Sequence, residues 1–264
     1  MKAYFIGDLH LGASYSSDNR EKEKKVISFL DSIKDDASEL YLMGDVLDYW
    51  FEYKYVVPRG YVRFFGKLSE MADNGVKITW IIGNHDIWIF DYIPKELGIE
   101  VVDGILEREI MGTRFCLQHG DAIGGSRKFR LMRKLFRNKF CQKLYSGIHP
   151  RWTVGFAEMC SRRSREQQAK GKKVTPNLIN DIREWCKGQI REGNPAKYYV
   201  FGHLHSQYDE ELPKGRRLIV LPYWPTTGVY GTFDGERFIL GGPTPALPAR
   251  EGGKIVRSEI SISN

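Results

Sequence analysis

The chain contains six histidines, and five of them lie in short motifs with Asp, Asn or Gly. These motifs are Asp8-Leu9-His10, Gly83-Asn84-His85-Asp86, His119-Gly120-Asp121 and Gly202-His203-Leu204-His205, with Gly44-Asp45-Val46-Leu47-Asp48 between the first two. Carboxylate, carboxamide and imidazole donors without thiolate suit Mn, Fe or Zn rather than Cu(I) or iron–sulfur clusters. Two carboxylates and four imidazoles are enough for two adjacent ions sharing one carboxylate. Ions about 3.5–4 Å apart clamp in-line displacement at phosphorus: one acidifies a water, and both neutralise developing charge. A single DxH or HxH is more often a core or surface histidine than a ligand. Four such elements in one chain, each behind an apolar strand pattern, point to a metal site.

The elements that must position these residues follow from the spacing of apolar positions. Residues 2–7 read as a strand running into Asp8, and Leu40 to Met43 as a buried strand ending at Gly44. Lys77 to Ile82 is a third strand, ending at Gly83. Between them, Val26, Phe29, Leu30 and Ile33 mark one amphipathic helix, and a second over 60–74 stops at Asn74-Gly75. Alternation of strand and helix predicts an α/β layered fold, whose sites form at the carboxyl ends of strands. Further strands are expected at 99–102, 105–111, 114–118, 197–201, 217–221, 228–233 and 236–240, and further helices through the basic segment and over 176–191. A loose tail is expected from Pro243 onward.

Composition narrows the class. A length of 264 residues suffices for one large globular domain, and 13% aromatic content excludes a disordered chain. Mean hydropathy is −0.41, and no apolar run approaches the roughly 20 residues of a membrane-spanning helix. The opening apolar run reaches Asp8 too soon for a signal peptide. The four cysteines form no CxxC pair and read as reduced thiols of a cytosolic protein.

Charge is concentrated. Between Ser126 and Lys173 there are fifteen Lys and Arg against Glu158 and Glu166, a segment charge of +13. With an overall charge of +7, the remaining 216 residues carry −6. This insert begins just after His119-Gly120-Asp121 and returns before Gly202-His203, so it reads as a lid over 124–192 within a catalytic domain over 1–242, with 243–264 as tail. Its cations alternate with Phe129, Met132, Leu135, Phe136, Phe140, Trp152 and Phe156. An element both apolar and cationic suits an anionic amphiphile at a membrane surface, or it packs its apolar side on the core. His149 reads as a turn residue inside the lid.

As a set, DLH, GDVLD, GNHD, HGD and GHLH resemble the calcineurin-like metallophosphoesterase family over residues 3 to 240 or so. That resemblance implies a four-layer sandwich, two mixed β-sheets flanked by helices, with a dinuclear centre at one edge. It implies Asp8, His10 and His205 on the first ion, Asp45 as bridge, and Asn84, His119 and His203 on the second. By the same resemblance the attacking species is metal-bound hydroxide, and His85 contacts the phosphate and protonates the leaving group. Asp48 and Asp86 are expected to orient ligands, and Asp121 to orient a ligand or touch substrate.

The short DLHLG start, Gly44-Asp45-Val46-Leu47-Asp48-Tyr49-Trp50-Phe51 and the basic insert after HGD are similar to the UDP-2,3-diacylglucosamine pyrophosphatases of lipid A synthesis. That similarity implies cleavage to UMP and 2,3-diacylglucosamine 1-phosphate, two Mn2+ ions, acyl chains under the lid, and a cytoplasmic enzyme held peripherally on the inner membrane. One position departs: the best-known members of that family carry GNRD where this chain has GNHD. Lid cations Arg162, Arg163, Arg165, Lys170, Lys172 and Lys173 are candidates to bind the substrate's phosphate or uridine groups. The alternatives are a general phosphodiesterase or nucleotidase, and a non-catalytic nucleic-acid-binding protein, which the absence of RNA-stacking and helix-turn-helix signatures disfavours. No nucleic acid and no obligate protein partner are expected.

Overall fold

The structure is a computed structural model describing all residues except 14–17, 125–126, 170–175, 243–249, 252–253 and 256–264. Side chains of Arg162 and Arg165 also lie outside it, as do Lys170, Lys172 and Lys173. The elements run β1 (Lys2–Ile6), α1 (Asn19–Ile33), β2 (Ala37–Leu42), α2 (Val62–Asp73), β3 (Lys77–Ile81), α3 (Tyr92–Leu97), β4 (Glu100–Val102), β5 (Leu106–Ile110) and β6 (Thr113–Leu117). Four helices follow: α4 (Arg127–Phe136), α5 (Lys139–Ser146), α6 (Pro150–Ala169) and α7 (Pro176–Arg191). The chain then forms β7 (Tyr198–Phe201), β8 (Tyr208–Leu212), β9 (Arg216–Val220), α8 (Trp224–Thr227), β10 (Tyr230–Phe233) and β11 (Phe238–Gly241).

Two mixed sheets result. One has the order β11-β10-β1-β2-β3-β4, the other β5-β6-β7-β9-β8. Strands β1 to β4 are parallel, as are β6, β7 and β9; antiparallel β11, β5 and β8 form three of the four sheet edges, and parallel β4 forms the fourth. The two-residue alternation of side chains decides how the sheets stack. Ala3 and Phe5, Tyr41 and Met43, Phe115 and Leu117, Tyr198 and Val200 share one buried cluster between the sheets. Their neighbours Tyr4, Ile6, Leu40 and Leu42 face outward and pack with Val26, Phe29 and Leu30 of α1 and Phe64 and Leu68 of α2. On the far side, Cys116, Tyr199, Phe201 and Leu218 pack with Ile179, Ile182, Cys186 and Ile190 of α7. Strands buried on both faces need apolar residues at nearly every position, which is why these read as continuous runs. The four-layer sandwich is therefore present: helices, sheet, sheet, helix.

Helix α7 lies inside the 124–192 span expected for the lid, yet its apolar face is a layer of the sandwich. The elements over the site are α4, α5 and α6. Three short elements were not anticipated. Helix α3 has six residues, too few for a periodic signal, and ends at Gly98 with φ 66°. Helix α8 has four residues. Strand β8 reads YDEEL and lies at a sheet edge, where charged side chains are favoured and the apolar pattern is lost. In the expected tail, the described residues form a two-stranded ladder of Arg250–Glu251 with Lys254–Ile255. Among the described residues, no helix is long and apolar enough to cross a membrane.

Candidate metal centre

Every histidine motif except that of His149 follows the carboxyl end of a parallel strand. Asp8 and His10 follow β1, Asp45 and Asp48 follow β2, and Asn84 to Asp86 follow β3. From the second sheet, His119 and Asp121 follow β6, while His203 and His205 follow β7. The loops meet at one edge of the sandwich, which brings together residues nearly two hundred positions apart. Asp8, His10, Asp45 and His205 present ligand atoms within one cluster, and Asp45, His119 and His203 within a second. Asp45 belongs to both: Oδ2 lies 3.6 Å from His10 Nε2 and 3.3 Å from His119 Nε2. Asn84 Oδ1 lies 3.3 Å from His119 Nε2.

Backbone strain accompanies this convergence. Asp8, His10, Asp45, His203 and His205 all have positive φ, between 43° and 68°. Non-glycine residues held there cost roughly 1–3 kcal/mol apiece and persist only where surroundings over-determine them. Here the restraints are hydrogen bonds between loops. Asp8 N donates to Gly44 O at 3.0 Å and His10 N to Asp45 O at 2.9 Å, while Asp8 Oδ2 accepts from His203 N at 2.9 Å.

The hydrogen bonds also set which ring nitrogens face inward. His119 Nδ1 donates to the carbonyl of Met43 at 2.9 Å, which turns Nε2 toward Asp45 and Asn84. His10 Nδ1 pairs with Asp48 Oδ1 at 3.1 Å and leaves Nε2 directed 3.1 Å from His205 Nε2. Neutral imidazole fixed by a hydrogen bond at the other nitrogen is the arrangement of a metal-ligating histidine. Asp8 Oδ1 lies 3.2 Å from His205 Nε2. Ring nitrogens and carboxylate oxygens thus converge, and a cation could take the place of a ring proton there. The residues fit divalent metal ions.

The family profile described as calcineurin-like phosphoesterase matches residues 1–207. The chain belongs to that family. Among curated relatives, this calcineurin-like phosphoesterase is 38% identical over 252 residues to the UDP-2,3-diacylglucosamine hydrolase of Porphyromonas gingivalis, covering 90% of this chain and 96% of the relative. It is 28% identical over 225 residues to the protein of the same name from Neisseria meningitidis, covering 84% of this chain and 89% of the relative. Among solved structures it aligns with Yfce, a phosphoesterase from E. coli, at TM-score 0.44 and 17% identity over 90% of this chain and 91% of that one.

Electrostatics at the phosphoesterase site follow from burial and crowding. Burial would raise the Asp45 carboxyl, but the charges of His119, His85 and His10 hold it well below the usual carboxylate range. Burial would lower His119, yet Asp45 outweighs it and raises the ring to about 10. His203 is lowered to about 4 by burial and then by neighbouring His119. Burial and the Asp45 charge raise Asp86 to about 6, against the opposing effect of hydrogen bonds from Gly83 N and Val46 N. The cage attracts positive charge beside Asp45.

The remaining expected residues fall around the centre. Asp86 accepts from Gly83 N at 2.7 Å, Val46 N at 2.9 Å and Trp80 Nε1 at 3.1 Å, which ties the Asp45 turn to the Asn84 turn. His85 Nδ1 donates to the Asp48 carbonyl at 2.9 Å. Asp121 is engaged by the lid: Arg133 Nε donates to it at 2.8 Å, and Arg137 Nη1 stands 3.8 Å away. Arg163 is exposed on α6. His149 Nδ1 accepts from Arg151 N at 3.2 Å, at the start of that helix.

Some contributors carried no motif. Tyr223 stacks obliquely against His205 and His10, with ring centroids 5.2 and 5.8 Å apart; its place just past β9 was the available signal. Tyr49 meets Tyr145 of α5 through their hydroxyls at 3.2 Å, and Trp88 Nε1 donates to the Phe136 carbonyl at 2.9 Å. These contacts seat the lid. Buried Glu52 accepts from Phe90 N, Asp91 N and Trp50 Nε1, which fixes the loop leading to α3.

Gly83 carries a direct consequence for the site. A Cβ there would lie 2.2 Å from Asp45 Oδ1 and 2.3 Å from Asp45 N, and the backbone atom cannot swing away. Gly83→Ala is expected to displace the shared carboxylate and reduce turnover by roughly 100-fold, the upper range for a lost ligand-orienting group. Metal content and turnover measured together check this; full metal and full activity would show that the turn tolerates the shift.

Proposed function

We propose that this chain hydrolyses the diphosphate of UDP-2,3-diacylglucosamine to UMP and 2,3-diacylglucosamine 1-phosphate, using two divalent ions, most simply Mn2+. The observation that carries the reading is an apolar cavity of about 380 Å³ that begins at Asn84 and His85 and runs under the lid. Ile87, Trp88, Met132, Phe136, Tyr145 and Phe156 line it. A second apolar hollow of about 260 Å³ continues past Trp88 and Phe136 to Leu144 and Ile148. A simple phosphodiester has no use for such walls, whereas acyl chains do.

In this reading Asp8, His10, Asp45 and His205 hold one ion, and Asp45, Asn84, His119 and His203 the other. The ions, when bound, supply an activated water and neutralise charge on the phosphoryl oxygens. Asp48 holds His10 in the ligating tautomer, and its carbonyl holds His85 with Nε2 free to meet the substrate. Protonated His85 delivers its Nε2 proton to the leaving phosphate oxygen, a step worth about 10²–10⁴-fold for a positioned acid. Lid cations, Arg163 among them, attract the anionic substrate.

The outer lid surface extends this to the membrane. Leu131, Phe140 and Trp152 are 69, 69 and 72% exposed, among Lys134, Lys139 and Lys143. Apolar side chains ringed by cations suit the interface of an anionic bilayer, and so peripheral attachment at the cytoplasmic face of the inner membrane.

One assay tests both halves. Manganese-loaded protein should release UMP from UDP-2,3-diacylglucosamine presented in anionic vesicles and should sediment with those vesicles, more weakly after Phe140→Ser and Trp152→Ser. No UMP at micromolar protein rejects the substrate, and equal sedimentation of the variant rejects the lid as anchor. Comparable turnover of UDP-glucose would favour a general phosphodiesterase.

A further inference from the structure

We infer that a second cavity, on the other side of Asp48 and Tyr49 from the apolar one, holds the UMP half of the substrate, with Arg20, Arg59, Arg63 and Arg151 as its anion- and ribose-facing groups. This deepens the reading above and rests on it for the identity of the nucleotide.

The cavity measures about 840 Å³ and opens beside Leu11 and Gly12, the residues directly after ligand-bearing His10. Asp48 and Tyr49 line both it and the apolar cavity, so the two meet beside the metal centre. They differ in chemistry. One is walled by aromatic and aliphatic side chains; the other carries four arginines, supplied by α1, the loop before α2, α2 and the start of α6. Three of these belong to the catalytic body, which outside the basic insert carries a net −6. Their convergence is therefore local and not the general charge of the chain. Glu23 engages Arg63 at 3.6 Å, and among the described residues no ion pair engages Arg20, Arg59 or Arg151.

The wall facing the centre is tightly made. Gly12 has φ 79°, and a Cβ there would fall 2.0 Å from the Tyr61 hydroxyl. Tyr61 itself has φ 62°. A side chain at position 12 would displace the Tyr61 ring from the cavity wall.

The substrate has the same asymmetry as the two cavities. A diphosphate at the metals joins a diacylated sugar on one side to a polar, anionic nucleoside phosphate on the other. Guanidinium groups recognise phosphate and ribose oxygens through paired donors. The diacyl half then lies over Asn84 and His85, and the nucleotide over Gly12 and toward Arg59 and Arg151. Since Arg151 belongs to the lid and Arg20, Arg59 and Arg63 to the body, a bound nucleotide spans both.

The test is titration of UMP, and separately of inorganic phosphate, into the manganese-loaded full chain and its Arg59→Ala/Arg151→Ala variant. UMP affinity should fall by about tenfold or more, while phosphate, which needs only the centre, should change little. KM for UDP-2,3-diacylglucosamine should rise more than kcat falls. Arg20→Ala, on a different element, provides the same comparison should the double variant unfold on a melting curve. Unchanged UMP affinity, equal losses for UMP and phosphate, or no UMP binding by the unmodified chain would each overturn the site. Failure of the functional reading looks different: UMP binding remains arginine-dependent, but UDP-2,3-diacylglucosamine is not cleaved.

Discussion

Replacing Asp45 by Ala is expected to lower turnover of UDP-2,3-diacylglucosamine by about 10³-fold or more, beyond what a single electrostatic donor is worth. The reason is its position in both ligand clusters, with Oδ2 3.6 Å from His10 Nε2 and 3.3 Å from His119 Nε2. Without it, Asp8, His10 and His205 remain on one side, and Asn84, His119 and His203 on the other. Of these six, only Asp8 contributes an ordinary negative charge. Two dications held by clusters that share this residue would need anionic oxygen between them, because their mutual repulsion would otherwise be unscreened in a buried site. Asp45→Asn, which keeps the shape and removes the charge, should lose nearly as much. Metal analysis of each variant should find fewer than two ions per chain. A fully loaded, fully active Asp45→Ala protein would rule out the shared-carboxylate arrangement. A melting curve separates this from unfolding, since Asp45 Oδ1 also accepts from His85 N at 2.8 Å.

His85→Ala is expected to reduce kcat by about 100-fold or more with metal content unchanged, since His85 belongs to neither of the two clusters that contain Asp45. His85 stands edge-on to His10, centroids 4.7 Å apart at 85°, and lines the apolar cavity. Its Nδ1 is committed to the Asp48 carbonyl, so Nε2 is the atom available to a leaving group. A proton donor matters in proportion to the basicity of what departs. The variant should therefore be nearly normal on a nitrophenyl phosphodiester, whose leaving group needs no proton, and severely impaired on the UDP lipid. Equal losses on both substrates would assign His85 to phosphate binding alone. His85→Arg, the residue of GNRD chains, keeps a phosphate contact and should recover KM before it recovers kcat.

Much of the centre was legible beforehand because its chemistry is local in sequence. Each candidate ligand follows an apolar strand by two to four residues, and strand ends are readable from runs such as Leu40 to Met43 and Lys77 to Ile82. The layer order was legible too, since two-sided burial demands nearly continuous apolar strands. Charge arithmetic marks the basic segment over 126–173, and the expected lid span of 124–192 also takes in α7. Amphipathic spacing reveals that a helix has an apolar face but not which surface that face covers. Ile182 and Cys186 of α7 pack on the outer face of the second sheet, while Phe140 of α5 and Trp152 of α6 remain exposed.

The substrate-facing surface was not legible for the same physical reason. Asp121 pairs with Arg133 and stands near Arg137, contacts that its HGD motif does not announce. Tyr49 and Tyr145 are 96 positions apart, and the four arginines of the second cavity come from four separate elements. The arginines have no motif, because a cavity wall constrains only the shape and charge at a point in space. The sequence by itself determined the donor set and the strands that carry it, through short-range spacing and side-chain alternation. Only the tertiary structure decided which helices cover the site and which arginines meet beside it, because those contacts arise from packing between distant segments and leave no periodic trace along the chain.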